Sequence, residues 1–92
     1  MSKVLIVGNR VVLVDESDWW RVKDRRWCLN KGKYNEGYYV MYGKREGRVV
    51  RKVYLHRFIA GAQRGDRVEF VDGNTLNCCR GNLMVNGRRL DV

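Results

Sequence analysis

The stretch 68–83, V-E-F-V-D-G-N-T-L-N-C-C-R-G-N-L, holds most of the side chains in this sequence that could do chemistry. Its carboxylates could contribute to a divalent-cation site, and His56, the single histidine, could serve as a general base because an imidazole titrates near neutrality. Each has a plainer role beside the chemical one. A hard cation wants about six oxygens, and Glu69 with Asp91 far along the chain supplies few of them. Asp72 sits in a D-G-N turn, where aspartate bonds its own backbone. Asn82 can satisfy backbone groups across a loop whether or not catalysis occurs. His56 opens an expected helix, where the reading is a partly buried ring satisfied by backbone.

The elements that must position these residues form a hairpin with a long polar tip. A short β-branched run enters the turn at Asp72-Gly73-Asn74, an omega-like loop follows, and Arg80-Gly81-Asn82-Leu83 leads into a second strand, Leu83-Met84-Val85. This hairpin resembles the core of the HNH (ββα-metal) endonucleases of phages and mobile introns, whose wording is close to V-D-H-I-N-G-N-x-L-D-N-R-x-x-N-L. The preceding Leu55-His56-Arg57-Phe58-Ile59 is similar to the L-H-R-L-I segment that leads into it. The resemblance implies a water-activating histidine and a metal-holding carboxylate where this chain has Phe70 and Glu69. Phenylalanine can do neither job, and Phe70 reads as natural degeneration because deliberate inactivation commonly uses alanine or a near-isostere. The family's middle asparagine falls on Asn82, thirteen residues after Glu69. The family's third element, a metal ligand on a terminal helix, falls at Asp91, and a helix of the few residues from Gly87 onward is too short to stand unaided. The expectation is a vestigial catalytic set of Glu69 and Asn82, with His56 as a substitute base only if the chain cuts nucleic acid.

Length, charge and cysteines bound the rest. The 92 residues fit one domain near the lower end of what one core supports, and 45% hydrophobic content supplies that core. Nineteen lysines and arginines against ten acids give +9, which favours a polyanionic partner through counterion release. No apolar run approaches the ~18–20 residues of a membrane span, so a cytoplasmic protein without a membrane partner is expected. Cys28, Cys78 and Cys79 form no C-x-x-C pair and read as reduced thiols rather than zinc ligands.

Along the chain, residues 3–7 and 10–14 should pair as a ribbon around a Gly8-Asn9 turn. Asp15 is placed to cap a short helix ending near Lys23, with Trp19 and Val22 on one face. Residues 27–29 read as a strand, Asn30-Lys31-Gly32-Lys33 as its turn, residues 37–42 as the next strand, and 43–47 as the turn into a strand over 48–55. Alternation would bury the side with Val49, Arg51, Val53 and Leu55 and leave Lys52 and Tyr54 outward. Residues 56–61 should be a short helix ending at glycine. This front portion is similar to the three-stranded sheet that precedes many phage HNH modules and to the plant AP2 DNA-binding sheet, in which basic and aromatic side chains enter the major groove.

The fold expected is therefore a small α+β domain: an N-terminal antiparallel sheet with a short helix over 1–55, then a degenerate HNH-like hairpin over 56–92. The function expected is a nucleic-acid binder of phage or mobile-element origin that has lost hydrolysis, with DNA the first partner and RNA the second. Binding residues would be Lys33, Tyr39, Lys44, Arg45, Arg48, Lys52 and Tyr54 on the sheet, with Arg57, Arg64, Arg67 and Arg80 beyond it. No cofactor is expected in that case. The alternatives are a nicking endonuclease using Mg2+ or Mn2+, and an inhibitor module that docks on a host protein.

Overall fold

The computed structural model describes residues 2–31 and 37–90. Lys33 and Asp91 lie outside them. Strand β1 (Ser2–Val7) pairs antiparallel with β2 (Arg10–Asp15), in a register running from Val7↔Arg10 to Ser2↔Asp15. Gly8, at φ +61°, takes the left-handed backbone that this tight turn requires. Alternation sends Val7, Val12 and Val14 inward and leaves Val4, Ile6 and Val11 in solvent.

Helix α1 (Glu16–Val22) follows without a break, and its buried positions are Asp18 and Val22. Asp15 holds the N-cap position yet makes no side-chain bond to this helix. Its carboxylate instead accepts the backbone N–H of Arg80 at 2.7 Å. The expected local cap is thus a tether to a distant loop. Asp18, only 1% exposed, receives Nε and Nη2 of Arg80 at 2.9 and 3.0 Å and Nη2 of Arg21 at 3.0 Å.

The second sheet has the order β3-β4-β5, from β3 (Cys28–Lys31), β4 (Tyr38–Glu46) and β5 (Val49–Tyr54), all antiparallel. Two expectations are corrected here. Asn30 and Lys31 continue the strand, and β4 runs through Gly43-Lys44-Arg45-Glu46 to a turn at Gly47-Arg48, with Gly47 at φ +62°. All residues from 43 to 52 are exposed, so the distal half of the β4–β5 hairpin is an arm bare on both faces. Val49 is accordingly 57% exposed rather than buried, while Tyr54 is half-buried rather than outward. Leu55 is buried, but it opens helix α2 (Leu55–Ala60). Alternation failed as a guide because the arm extends past the core, leaving no inside for it to report.

Gly61, at φ +65°, closes α2 with backbone bonds to the carbonyls of Arg57 and Phe58, as a C-terminal glycine should. The third sheet joins β6 (Val68–Phe70), β7 (Leu83–Val85) and β8 (Arg88–Arg89) in that order. Asn86 and Gly87 both have positive φ, and this tight turn sends the chain back as a strand where the sequence allowed a remnant of helix. The loop between β6 and β7 is pinned to β2 by Leu13 N–H to Leu76 O at 2.9 Å and Cys78 N–H to Leu13 O at 2.8 Å. The Thr75 hydroxyl bonds the Tyr38 carbonyl and ties the same loop to β4.

One apolar cluster serves these elements: Val7, Val12, Val14, Val22, Val40, Leu55, Ile59, Cys78 and Leu83. Among the described residues, three antiparallel sheets, two short α-helices and a 3-10 turn at Arg80–Asn82 surround it and make a small α+β fold. No helix among the described residues is long and apolar enough to cross a membrane. Asp18→Ala, which removes the buried acceptor of Arg80 and Arg21 but leaves a partly exposed guanidinium that water can reach, should lower stability by about 1.5–3 kcal/mol in urea titration. Arg21→Ala, on the exposed side of the pair, should cost about 1 kcal/mol or less.

Candidate functional site

The sheet face opposite the core cluster carries the feature with most chemical content. Register places Asn30 across from Tyr39, Met41 across from Tyr54 and Gly43 across from Lys52, and directly paired residues share a face. Because α2 begins immediately after Tyr54, His56 and Arg57 are carried in beside this face. The result is a cavity of about 540 Å³ with Asn30, Tyr39, Tyr54 and His56 in its walls. Lys31, Lys52 and Arg57 also line it, with Val68 from β6, and among the described residues no carboxylate does.

Its aromatic wall is a connected set of rings. Tyr39 and Tyr54 meet edge to face at 6.2 Å and 84°, and His56 lies 5.6 Å from the first and 5.8 Å from the second. Phe70 backs the histidine at 4.9 Å. Asn30 Nδ2 donates to Tyr54 Oη at 3.4 Å. The Arg57 guanidinium is fixed by the carbonyls of Asp66 and Gln63 at 2.8 and 2.7 Å, and its charge helps to lower the pKa of the Asp66 carboxylate.

His56 is 8% exposed, and burial, helped by the Arg57 charge, pushes its pKa down from 6.5 to about 4. The ring is neutral at neutral pH. No hydrogen bond to a described residue holds it, so the expected backbone partner is not there, yet no buried side-chain nitrogen lacks a partner. His56 is among the residues that line the cavity, and its neutral imidazole can offer one donor and one acceptor there.

The other residues singled out from the sequence scatter. Glu69 lies between Val68 and Phe70 on β6, so alternation turns it to the other side of the strand, where Arg67 pairs with it at 2.7 Å. Asn82 is buried, its amide donating to Asp72 Oδ1 at 2.8 Å and to Asn77 O at 2.9 Å while its oxygen accepts the Asp72 N–H at 3.0 Å. Those bonds span the polar loop, and with Asn74 they hold the Asp72 carboxyl below its ordinary pKa. No group of three or more histidine, cysteine or acidic residues among the described residues could hold a metal ion. Arg80 is committed to Asp18, and Arg64 stands exposed on the loop after α2. Lys44, Arg45 and Arg48 stand on the arm. Cys78, 1% exposed, has its thiol pushed up to about 12 by burial and the neighbouring Cys79, which leaves it a packing residue.

The fold thus gathers Tyr39, Lys52, Tyr54, His56 and Arg57 in one place and adds Asn30 and Lys31, which sequence reasoning had placed in a turn. It adds Arg51 to the arm, where alternation had pointed inward. The signal for all three was the length of the strands. Comparison of the chain with protein-family models, with curated proteins and with solved structures returns no match.

The lowered pKa of His56 links folding to pH. The unfolded chain binds the imidazole proton below pH 6.5, while the folded chain does so only near pH 4. Stability should be full above pH 6.5 and fall by up to roughly 3 kcal/mol as pH drops through that window. Urea titrations between pH 7 and pH 4 measure this slope, and His56→Phe should flatten it. The paired aspartates, whose pKa values are lowered from 3.8, lose their contribution only at more acid pH.

Proposed function

We propose that this chain is a nucleic-acid-binding protein on an HNH-endonuclease-like scaffold of phage or mobile-element origin, which holds a strand without hydrolysing it. The observation that carries the reading is the bare β4–β5 arm. One of its faces bears Lys44 and Arg51, both neutralised in part by Glu46 at 3.6 and 3.4 Å. The other face bears Arg45 and Lys52 and runs without an acid into Tyr54 and Tyr39. Arg48 stands in the turn at the tip. A two-stranded ribbon matches the width of a DNA major groove, and cations along it would contact phosphates on either side.

Several features support the absence of hydrolysis. Phe70 occupies the place of the family's base, and Glu69 is turned away from it and paired with Arg67. An enzymatic reading draws on one observation, the His56 ring 4.9 Å from Phe70, where it could take over water activation. A base with pKa about 4 is poorly matched to that task at neutral pH. Among the described residues that line the cavity, a divalent ion would also find no carboxylate ligand.

Binding of a labelled duplex, followed by fluorescence anisotropy across a salt series, should weaken with a slope in log Kd of about 0.9 per phosphate contact. Arg45→Ala/Arg48→Ala should reduce that slope by about 2. Affinity indifferent to salt would remove the reading. In the same preparation, supercoiled plasmid with Mg2+ or Mn2+ should stay intact for hours with the wild-type chain, and any nicking by Phe70→His would show that the scaffold lacks only its base. Nicking by the wild-type protein would establish the enzyme instead.

A further inference from the structure

We infer that the cavity at the root of the arm seats a single unstacked nucleotide of the bound strand, its base in the aromatic corner and its phosphate on the cations around it. The inference rests on the nucleic-acid reading above and adds a site to it. A volume of about 540 Å³ falls within the roughly 300–1,000 Å³ of small-ligand sites. That is more room than the flank of a phosphate backbone needs.

The shape of the walls narrows the ligand. Tyr39 and Tyr54 stand at 84° to each other, so a flat ring laid on one is met at its edge by the other. Beside that corner lie the Asn30 amide and the neutral His56 ring, both able to donate and to accept. A nucleobase presents just such an alternation of donors and acceptors along its edge, and its π-face stacks on tyrosine irrespective of base identity.

Charge narrows it further. Lys31 and Lys52 have no ion-pair partner among the described residues, while the Arg57 guanidinium is bonded to the carbonyls of Asp66 and Gln63 and shares its charge with the Asp66 carboxylate, whose pKa it helps to lower. Among the described residues that line it, the cavity carries Lys31, Lys52 and Arg57 and no carboxylate, and that lining favours an anion. A planar ring carrying a phosphate satisfies the stacking corner, the polar edge and the cations together. A base paired and stacked within a duplex cannot enter. The site selects an unpaired one, as found in a single strand, a loop or a mismatch.

The test compares a fully paired duplex with the same duplex carrying one unpaired nucleotide, by anisotropy at fixed salt. The wild-type chain should bind the second more tightly, by roughly 5- to 100-fold, the range expected from one base–aromatic stack. Tyr54→Leu should erase the difference between the two duplexes in a protein that thermal melting shows to be folded. Lys52→Gln, on an exposed side chain, should reduce the difference without disturbing the fold, as thermal melting would verify. Arg45→Ala/Arg48→Ala should weaken both complexes alike. Equal wild-type affinity for the two duplexes, or a preference that survives Tyr54→Leu in the folded protein, overturns the seat and leaves the binding function standing. No affinity for either duplex overturns both.

Discussion

The Asp18 carboxylate lies in the protein interior with the guanidinium of Arg80 bonded to it through two nitrogens, across 62 positions of sequence. Removing such a group from water costs several kcal/mol, and attraction offsets that cost only with near-ideal geometry and satisfied hydrogen bonds. Burial alone would raise the Asp18 pKa, yet Arg80 and Arg21 outweigh it and hold the carboxyl below its ordinary value. The ion pair prevails over the loss of solvent. With Asp15 on the Arg80 backbone N–H, the contact fixes where the C-terminal loop lies against α1 and β2. That loop carries Asn82, whose amide bonds span the polar tip between β6 and β7. The ladder of β6 and β7 in turn sets Phe70 against His56. A buried charge pair far from the cavity thus helps to decide the shape of its aromatic wall.

The second sheet is built on the opposite principle. Near α2 it is packed, with Val40 and Met41 buried, but beyond Tyr42 it loses all cover. A two-stranded ribbon is marginal by itself in water. This one is anchored by β3 on one side of its base and by α2, which grows directly from β5. The Glu46 carboxylate links Lys44 and Arg51 across the two strands and relieves their mutual repulsion. Its position also leaves the two faces unequal, since the acid-free face is the one that descends to Tyr54 and the cavity.

Local chemistry was readable from the residues. Gly8-Asn9, Gly61 and the periodicity of the N-terminal ribbon located the first hairpin and the end of α2, because each of those signals acts within a few residues. Where the outcome depended on distant groups, the residues were ambiguous. Asp15 is a sound N-cap by type, and only the approach of Arg80 diverts it. The stretch Gly43-Lys44-Arg45-Glu46-Gly47 offers two glycines to a turn, and the fold uses the second because the strand continues into solvent. Asn30 and Lys31 are common turn residues that here remain paired with Tyr39 and Tyr38. The meeting of His56 with Phe70 belongs to the same class. Fourteen positions separate them in sequence, and α2 with the loop after it must fold before the two rings share a wall.

That meeting bears on why the proposed scaffold would bind without cutting. On that proposal, a phenylalanine stands where the HNH-like family has a histidine, so one base is missing. At this position it also packs on the remaining imidazole and contributes to the burial that keeps His56 from holding a proton until pH nears 4. On the proposed reading, a single apolar ring therefore weakens both groups that could draw a proton from water. The exchange has a positive side as well. An apolar backing makes the Tyr39, Tyr54 and His56 rings a firmer platform than a second charged or hydrated imidazole would, and stacking gains from a dry, fixed partner. On the proposed reading, the loss of hydrolysis and the gain of a seat for a base are two consequences of one substitution, which would explain how a scaffold of this size could change its task without changing its fold.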